Sequence, residues 1–181
     1  MIFDDTYYML IKLSTIDDAL CLSNYYRVNA THLKTWEPLR EDGYHDIRAW
    51  EKRLKLRETQ QKEKQGIYFL AYNKELTEIK AICNLTGITL GVFMACFMGY
   101  SVSKSYEGQG IMKKLCCHAI DYAFNDLGLN RVMANYMPGN KRSEKLLEIL
   151  GFKKEGEAIN YLKINGQWED HILTSLLSTK L

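Results

Sequence analysis

The chain has 181 residues, 46% of them hydrophobic and only two of them proline, so it can bury one sizeable core and is neither disordered nor collagen-like. Twenty-four Lys and Arg against 22 Asp and Glu leave a net charge of +2, too even a balance for a dedicated nucleic-acid binder.

In chain order, residues 7–13 have strand composition. Thr15, with Asp18 three residues on, is close to a capping box for a helix over residues 16–28. Residues 45–64 place Ile47, Trp50, Leu54 and Arg57 along one face of a charged amphipathic surface helix, its Lys and Glu runs being the solvated face. Residues 67–72, 79–86 and 92–102 read as an antiparallel meander with turns at NKEL and TLG. Residues 110–127 form a helix with Ile111, Leu115, Ala119, Tyr122 and Ala123 on one face and Gly128 as its stop. Residues 132–136 make a short strand, residues 141–150 a helix ended by Gly151, and residues 159–164 and 168–176 a hairpin across Asn165-Gly166. No repeat or linker interrupts the pattern, so one domain over residues 1–181 is expected.

Cys21, Cys83, Cys96, Cys116 and Cys117 lack any C-x-x-C spacing and read as reduced, mostly buried thiols. The start MIFDDTYYML has no basic n-region, and no apolar run nears the roughly 18 residues of a membrane span, so a soluble cytoplasmic protein is expected.

The stretch YSVSKSYEGQGIM, from Tyr100 to Met112, sets Gly108 and Gly110 between a strand and a helix. Bare backbone N–H groups there, with about half a positive charge at the helix N-terminus, make an anion cradle. A Walker loop would follow the last glycine with Lys-Ser/Thr, where Ile111 and Met112 stand. A dinucleotide fingerprint would need a glycine at Lys113 and a parallel unit before it. Against both, a bare strand-to-helix turn stays open on this stretch alone.

The frame Glu107-Gly108-Gln109-Gly110-Ile111-Met112 resembles the coenzyme A loop of the GNAT acyltransferases, Gln/Arg-x-x-Gly-x-Gly/Ala, with Glu107 and Met112 as departures. HLKTWEPLR (32–40), FMGYSVSKSYEGQGIM (97–112), RVMANYMPGNKRSEKLLEILGF (131–152) and YLKINGQWEDHILTSLL (161–177) together resemble the RimJ branch of ribosomal-protein N-terminal acetyltransferases. The resemblance implies an α/β (α+β) fold: a mixed, mostly antiparallel sheet flanked by helices and splayed between its fourth and fifth strands, residues 92–102 and 132–136. Acetyl-CoA would enter that gap as cosubstrate, its pyrophosphate on residues Glu107 to Met112, with no metal. Because backbone amides hold the pyrophosphate, the cradle should survive both departures, although a carboxylate at Glu107 is mildly unfavourable beside phosphates unless it points to solvent.

An α-amine has a pKa near 8, so roughly a tenth is neutral at pH 7, whereas a lysine near 10.4 is almost wholly protonated. Attack on a thioester makes an oxyanion, for which backbone N–H groups around Ser101, Val102 and Ser103 are the natural donors. Ser143 shares a face with Leu146, Leu147 and Leu150. It either bonds back to its own helix or, as in relatives, donates to the leaving sulfur. Many GNAT enzymes use a tyrosine four residues later, where this chain has Leu147. Asn140 reads as a helix N-cap, a pantetheine contact, or both. The sister RimL branch has a glutamate where Leu162 aligns, which leaves Glu37 as either a substitute base or a solvated loop carboxylate, in a loop made acidic by Glu41 and Asp42. Loss of that base is expected to cost most in acid. Trp36 lines the entrance or packs beneath it, and Tyr136 is a candidate for a water-mediated proton path. His32, His45, His118 and His171 show no metal spacing and read as surface or hydrogen-bonded side chains. Cys116 and Cys117 read as structural, which favours direct transfer.

The expected activity is acetyl transfer to the α-amine of a protein beginning with Ala or Ser, a ribosomal protein by the resemblance. The alternatives are acetylation of a polyamine or other small amine on the same scaffold, and a ribosome-associated role without catalysis. No nucleic-acid readout or membrane partner is expected, and monomer and dimer both remain open.

Overall fold

The structure, a computed structural model, describes residues 2–4 and 9–179. Its strands are β1 (Ile2–Asp4), β2 (Met9–Leu13), β3 (Ile67–Tyr72), β4 (Ile79–Thr89), β5 (Ala95–Val102), β6 (Arg131–Met133), β7 (Lys153–Ile164) and β8 (Gln167–Leu177). The helices are α1 (Ala19–Val28), α2 (Ala30–Leu33), α3 (Ile47–Lys62), α4 (Ile111–Asn125) and α5 (Lys141–Ile149). All strands join one mixed sheet in the order β1-β2-β3-β4-β5-β6-β8-β7. Every pair is antiparallel except β5–β6.

The parallel pair shapes the molecule. It runs only from Ala95–Arg131 to Phe97–Met133, after which residues 98–102 of β5 are bonded to β4 alone. The sheet therefore opens on that side, as expected for the two strands that flank a splay. Counted along the chain they are the fifth and sixth, because Ile2–Asp4 adds a strand at the start.

Helices cover both faces, which is why β3 is buried at every position although its sequence does not alternate. One core sets Ile111, Leu115, Cys116 and Ala119 of α4 against Phe69, Cys83 and Met98 of the sheet. The other sets Leu22 of α1 and Trp50 and Leu54 of α3 against Leu70, Tyr72 and Ile82. Each large side chain so buried contributes roughly 1.5–3 kcal/mol.

Several expected boundaries move for physical reasons. Tyr7 and Tyr8 lie outside the described residues. The expected helix start at residue 16 is a 3-10 turn over Ile16–Asp18, whose Asp18 carboxylate accepts from the Thr15 N–H at 2.7 Å; the α-helix proper follows. Ile47 is exposed, so α3 packs through Trp50 and Leu54, with Arg57 lying over the Tyr68 ring. β5 begins at Ala95 because Val92 stands fully in solvent within a loop. β6 ends at Met133; Tyr136 adds an isolated bridge to Ile172. β7 begins at Lys153, well before residue 159, because β8 offers it a long partner. Of the cysteines, Cys83, Cys96 and Cys116 are buried, Cys21 is half-buried and Cys117 is exposed.

Candidate functional site

A cleft of about 980 Å³ opens where β5 and β6 part. Its floor is the end of β5, its walls are the N-termini of α4 and α5, and its mouth is the loop after α2. Trp36, Glu37, Ser101, Val102, Glu107, Gly108, Gly110, Ile111, Met112, Asn140 and Ser143 all line it. Residues far apart in sequence, singled out for separate reasons, thus meet in one place.

Gly108 and Gly110 have φ of 72° and 78°, a left-handed backbone that only glycine adopts without strain. Gly110 caps α4, so the Ile111, Met112 and Lys113 amides have no intrahelical acceptor. Among the described residues nothing takes up the N–H of Gly108, Gln109 or Gly110. Gln109 itself turns out of the cleft, its amide donating to the Ser105 carbonyl at 2.9 Å. Cations surround this cradle, since Lys113, Lys141, Arg142 and Lys145 line the same cleft.

Glu107 does not point to solvent. Its carboxylate accepts from Lys104 Nζ at 2.8 Å and from the Arg142 guanidinium, with His32 Nε2 at 3.5 Å. Burial and Lys104 hold His32 below its usual pKa, so that last contact is a neutral imidazole against a carboxylate. Two cations thus offset the charge that Glu107 brings to an anion site.

At the floor, the Ser103 N–H is bonded to the Lys80 carbonyl at 2.9 Å and its side chain is buried away from the cleft. With the period-two alternation of an antiparallel pair, the Ser101 N–H also faces β4, and the amides that face the open edge are those of Tyr100 and Val102. Of the three expected donors, geometry leaves Val102. The Ser101 hydroxyl is 2.9 Å from that of Tyr25.

Asn140 is the N-cap of α5, its side-chain oxygen accepting from the Ser143 N–H at 3.1 Å. Ser143 does not bond back to its own helix; its Oγ lies 2.5 Å from the Tyr100 hydroxyl. Tyr136 is not among the lining residues, and its hydroxyl donates to Glu144 at 3.3 Å. Glu37 is half-buried at the mouth, and burial pushes its carboxyl up to about 7, with Arg40 opposing. Its backbone carbonyl accepts from the Asn165 N–H at 2.9 Å, so the β7–β8 turn holds the loop after α2.

Residues 10–153 match the family described as Acetyltransferase (GNAT) domain. The chain belongs to the GNAT acetyltransferases. A ribosomal protein uS5-alanine N-acetyltransferase of Escherichia coli (strain K12) is 39% identical over 168 residues, 93% of this chain and 87% of that one. The crystal structure of a ribosomal-protein-S5-alanine acetyltransferase from Vibrio fischeri superposes with a TM-score of 0.94 at 37% identity, covering 99% of this chain and 97% of the other. Mycobacterium smegmatis RimJ, in complex with CoA-disulfide, has the same fold, with a TM-score of 0.88 at 24% identity over 96% of this chain and 83% of the other.

GNAT acetyltransferases use acetyl-CoA, and the residues of the cleft fit such a polyanion: unpaired amides, a helix N-terminus and four cations. No cluster of His, Cys, Asp or Glu able to hold a metal occurs among the described residues. Two GNAT cleft residues escaped the sequence reading. Tyr100 looked like one more β5 residue; its partner, 43 positions away, appears only in three dimensions. His32 reads from the sequence as a surface or hydrogen-bonded histidine, and no spacing signal ties it to Glu107.

Proposed function

We propose that this GNAT enzyme acetylates the N-terminal α-amine of a protein that begins with a small residue such as Ala or Ser, a ribosomal protein by the company it keeps. The observation that carries the reading is Glu37 at the cleft mouth, with a pKa of about 7. Such a carboxyl can take a proton from an amine of pKa near 8, but is poorly matched to a lysine near 10.4. The relatives named for ribosomal-protein alanine acetylation match nearly the full chain, and this supports the same acceptor class.

In this reading acetyl-CoA supplies a thioester, whose carbonyl carbon is attacked by the neutral amine. Gly108, Gly110 and the first amides of α4 hold the pyrophosphate, with Lys113 and Arg142 beside it. The Val102 N–H polarises the carbonyl oxygen. Glu37 accepts the proton that the nitrogen loses as the C–N bond forms. As the C–S bond breaks, its electron pair passes to sulfur, and the Ser143 hydroxyl donates to it. Tyr100 stands behind Ser143: its half-buried hydroxyl has no other partner among the described residues, so it donates to Ser143 Oγ and leaves the serine proton for the cleft. Burial holds the Tyr100 phenol protonated well above its usual value. Asn140 fixes the start of α5 and hence Ser143.

A polyamine would be met badly here. Of the two lining carboxylates, Glu107 is already offset by Lys104 and Arg142 and Glu37 is opposed by Arg40, while Lys113, Lys141 and Lys145 add further positive charge to the walls. Mass spectrometry of two matched peptides tests the acceptor, one with a free Ala N-terminus and one blocked but containing lysine. The free α-amine is the expected site; preferential acetylation of the blocked lysine peptide would overturn the reading.

A further inference from the structure

Beside the acceptor mouth, three guanidiniums alternate with three aromatic rings. Arg40 lies over Tyr44 at 4.5 Å, and Arg53 covers the same ring at 4.0 Å. Arg53 also lies 4.0 Å from the Trp50 ring, with Arg57 5.2 Å from it and 4.3 Å from the Tyr68 ring. No salt bridge joins any of the three to a carboxylate among the described residues.

The ladder is costly as it stands. Arg53 Nε and Nη2, Trp50 Nε1 and His45 Nδ1 are sealed from solvent without a hydrogen-bond partner, and Trp50 is only 2% exposed. Burial lowers the pKa of Arg53 and of Arg57, and no carboxylate counters it at either. His45, stacked on Tyr26 at 4.2 Å, is pushed down to about 4 by burial and by Arg53 and Arg40, so it adds no charge at neutral pH. Stacking on aromatic faces stabilises the guanidiniums in part, but a partly desolvated positive cluster with no counter-ion favours an anion from outside. Arg40, exposed at the outer end, is the point of access.

Its place says which anion. Arg40 is close enough to Glu37 to oppose the rise in that carboxyl's pKa. The cluster therefore begins where the acceptor's ammonium is received and runs away from it along α3. We propose that the Arg40–Arg53–Arg57 ladder binds an acidic side chain of the acceptor polypeptide, a few residues beyond the N-terminus that Glu37 receives. This rests on the N-terminal reading above and names its acceptor more narrowly: a small first residue followed by an early Asp or Glu. Single-stranded nucleic acid would need open ring faces on which to stack, and those of Tyr44 and Trp50 are already covered by guanidiniums.

The test uses peptides that begin with Ala and carry one Glu or its Gln match at each of positions three to six. At low salt the wild-type enzyme is expected to show a KM about tenfold lower for the Glu peptide at one of these positions, with kcat unchanged, and the gap narrows as salt rises. In Arg40→Gln, an exposed change, and in Arg53→Met, which keeps length between the rings, the ratio falls toward one; thermal unfolding reports whether each variant is folded. Equal KM for Glu and Gln peptides, both acetylated, overturns the ladder's role and leaves the N-terminal reading standing. A full ratio retained in both folded variants also overturns it. Absence of N-terminal acetylation from every peptide overturns both. An RNA oligonucleotide that binds through Arg53, without discrimination between Glu and Gln peptides, reassigns the surface to nucleic acid.

Discussion

The Tyr100 hydroxyl lies 2.5 Å from Ser143 Oγ, joining the open end of β5 to the first turn of α5 across the cleft floor. If the pair acts as one donor to the leaving sulfur, Ser143→Ala should lower kcat about 10- to 100-fold with little change in acetyl-CoA affinity, and Tyr100→Phe about tenfold. The double variant should be no slower than Ser143→Ala alone, because the tyrosine acts through the serine. Steady-state kinetics with calorimetry of acetyl-CoA binding checks this; additive losses would separate the two residues.

Glu37 changes the pH dependence from what the sequence led us to expect. With its pKa at about 7, Glu37 is mostly a carboxylic acid at pH 6 and cannot accept a proton there. Replacing it with Gln should therefore cost little in acid, not most. The loss should be greatest between about pH 7 and 8, where the carboxylate has formed and much of the amine is still protonated, and should shrink above that. A pH–rate comparison of wild type and Glu37→Gln decides between the two patterns.

The same raised pKa has a stability consequence. Between about pH 4.5 and 7 the folded state holds a proton on Glu37 that the unfolded chain releases, so stability falls as pH rises through that window. Denaturant titrations at pH 5 and pH 8 should show Glu37→Gln gaining on the order of 2 kcal/mol relative to wild type at the higher pH.

Gly110, at φ 78°, admits a β-branched residue only with strain. Gly110→Val should weaken acetyl-CoA binding by about 100-fold or more, since the amides of the turn and of the α4 terminus lose their common aim. Unchanged affinity by calorimetry, in a variant that melts like wild type, would remove this loop from phosphate binding.

Glu107→Gln should act in the opposite direction. The carboxylate competes with phosphate for Lys104 and Arg142, so its removal should tighten acetyl-CoA about three- to tenfold at low salt, with the gain fading as salt rises. Weaker binding would mean that Glu107 chiefly positions its cations.

Legibility followed the range of the interactions. The α4 face and the glycine turn could be read because they are set within a few residues: the apolar spacing of Ile111, Leu115, Ala119 and Ala123, and the positive φ of Gly108 and Gly110. The blocks that carry the family resemblance imply a mixed, mostly antiparallel sheet and the place of its splay, which periodicity alone does not. What escaped depends on distant partners. Ser103 was misjudged because the alternation that turns its N–H toward Lys80 depends on the register of β4. How the charge of Glu107 is offset is not legible in the sequence because Arg142 approaches it from another element. Val92 extended the predicted strand because its composition suits a strand whether or not a neighbour is there to pair with it.

The bond from the Asn165 N–H to the Glu37 carbonyl ties the mouth of the cleft to the β7–β8 turn, and short β6 leans on β8 through Ala134 and Tyr136. The mouth of the site is thus made by the first quarter of the chain, through Trp36 and Glu37, and fastened by its last. During synthesis the glycine turn and α4 emerge well before the strands that hold β6 and the loop after α2 in place. A nascent copy therefore cannot fasten the mouth of its cleft before the β7–β8 turn has formed.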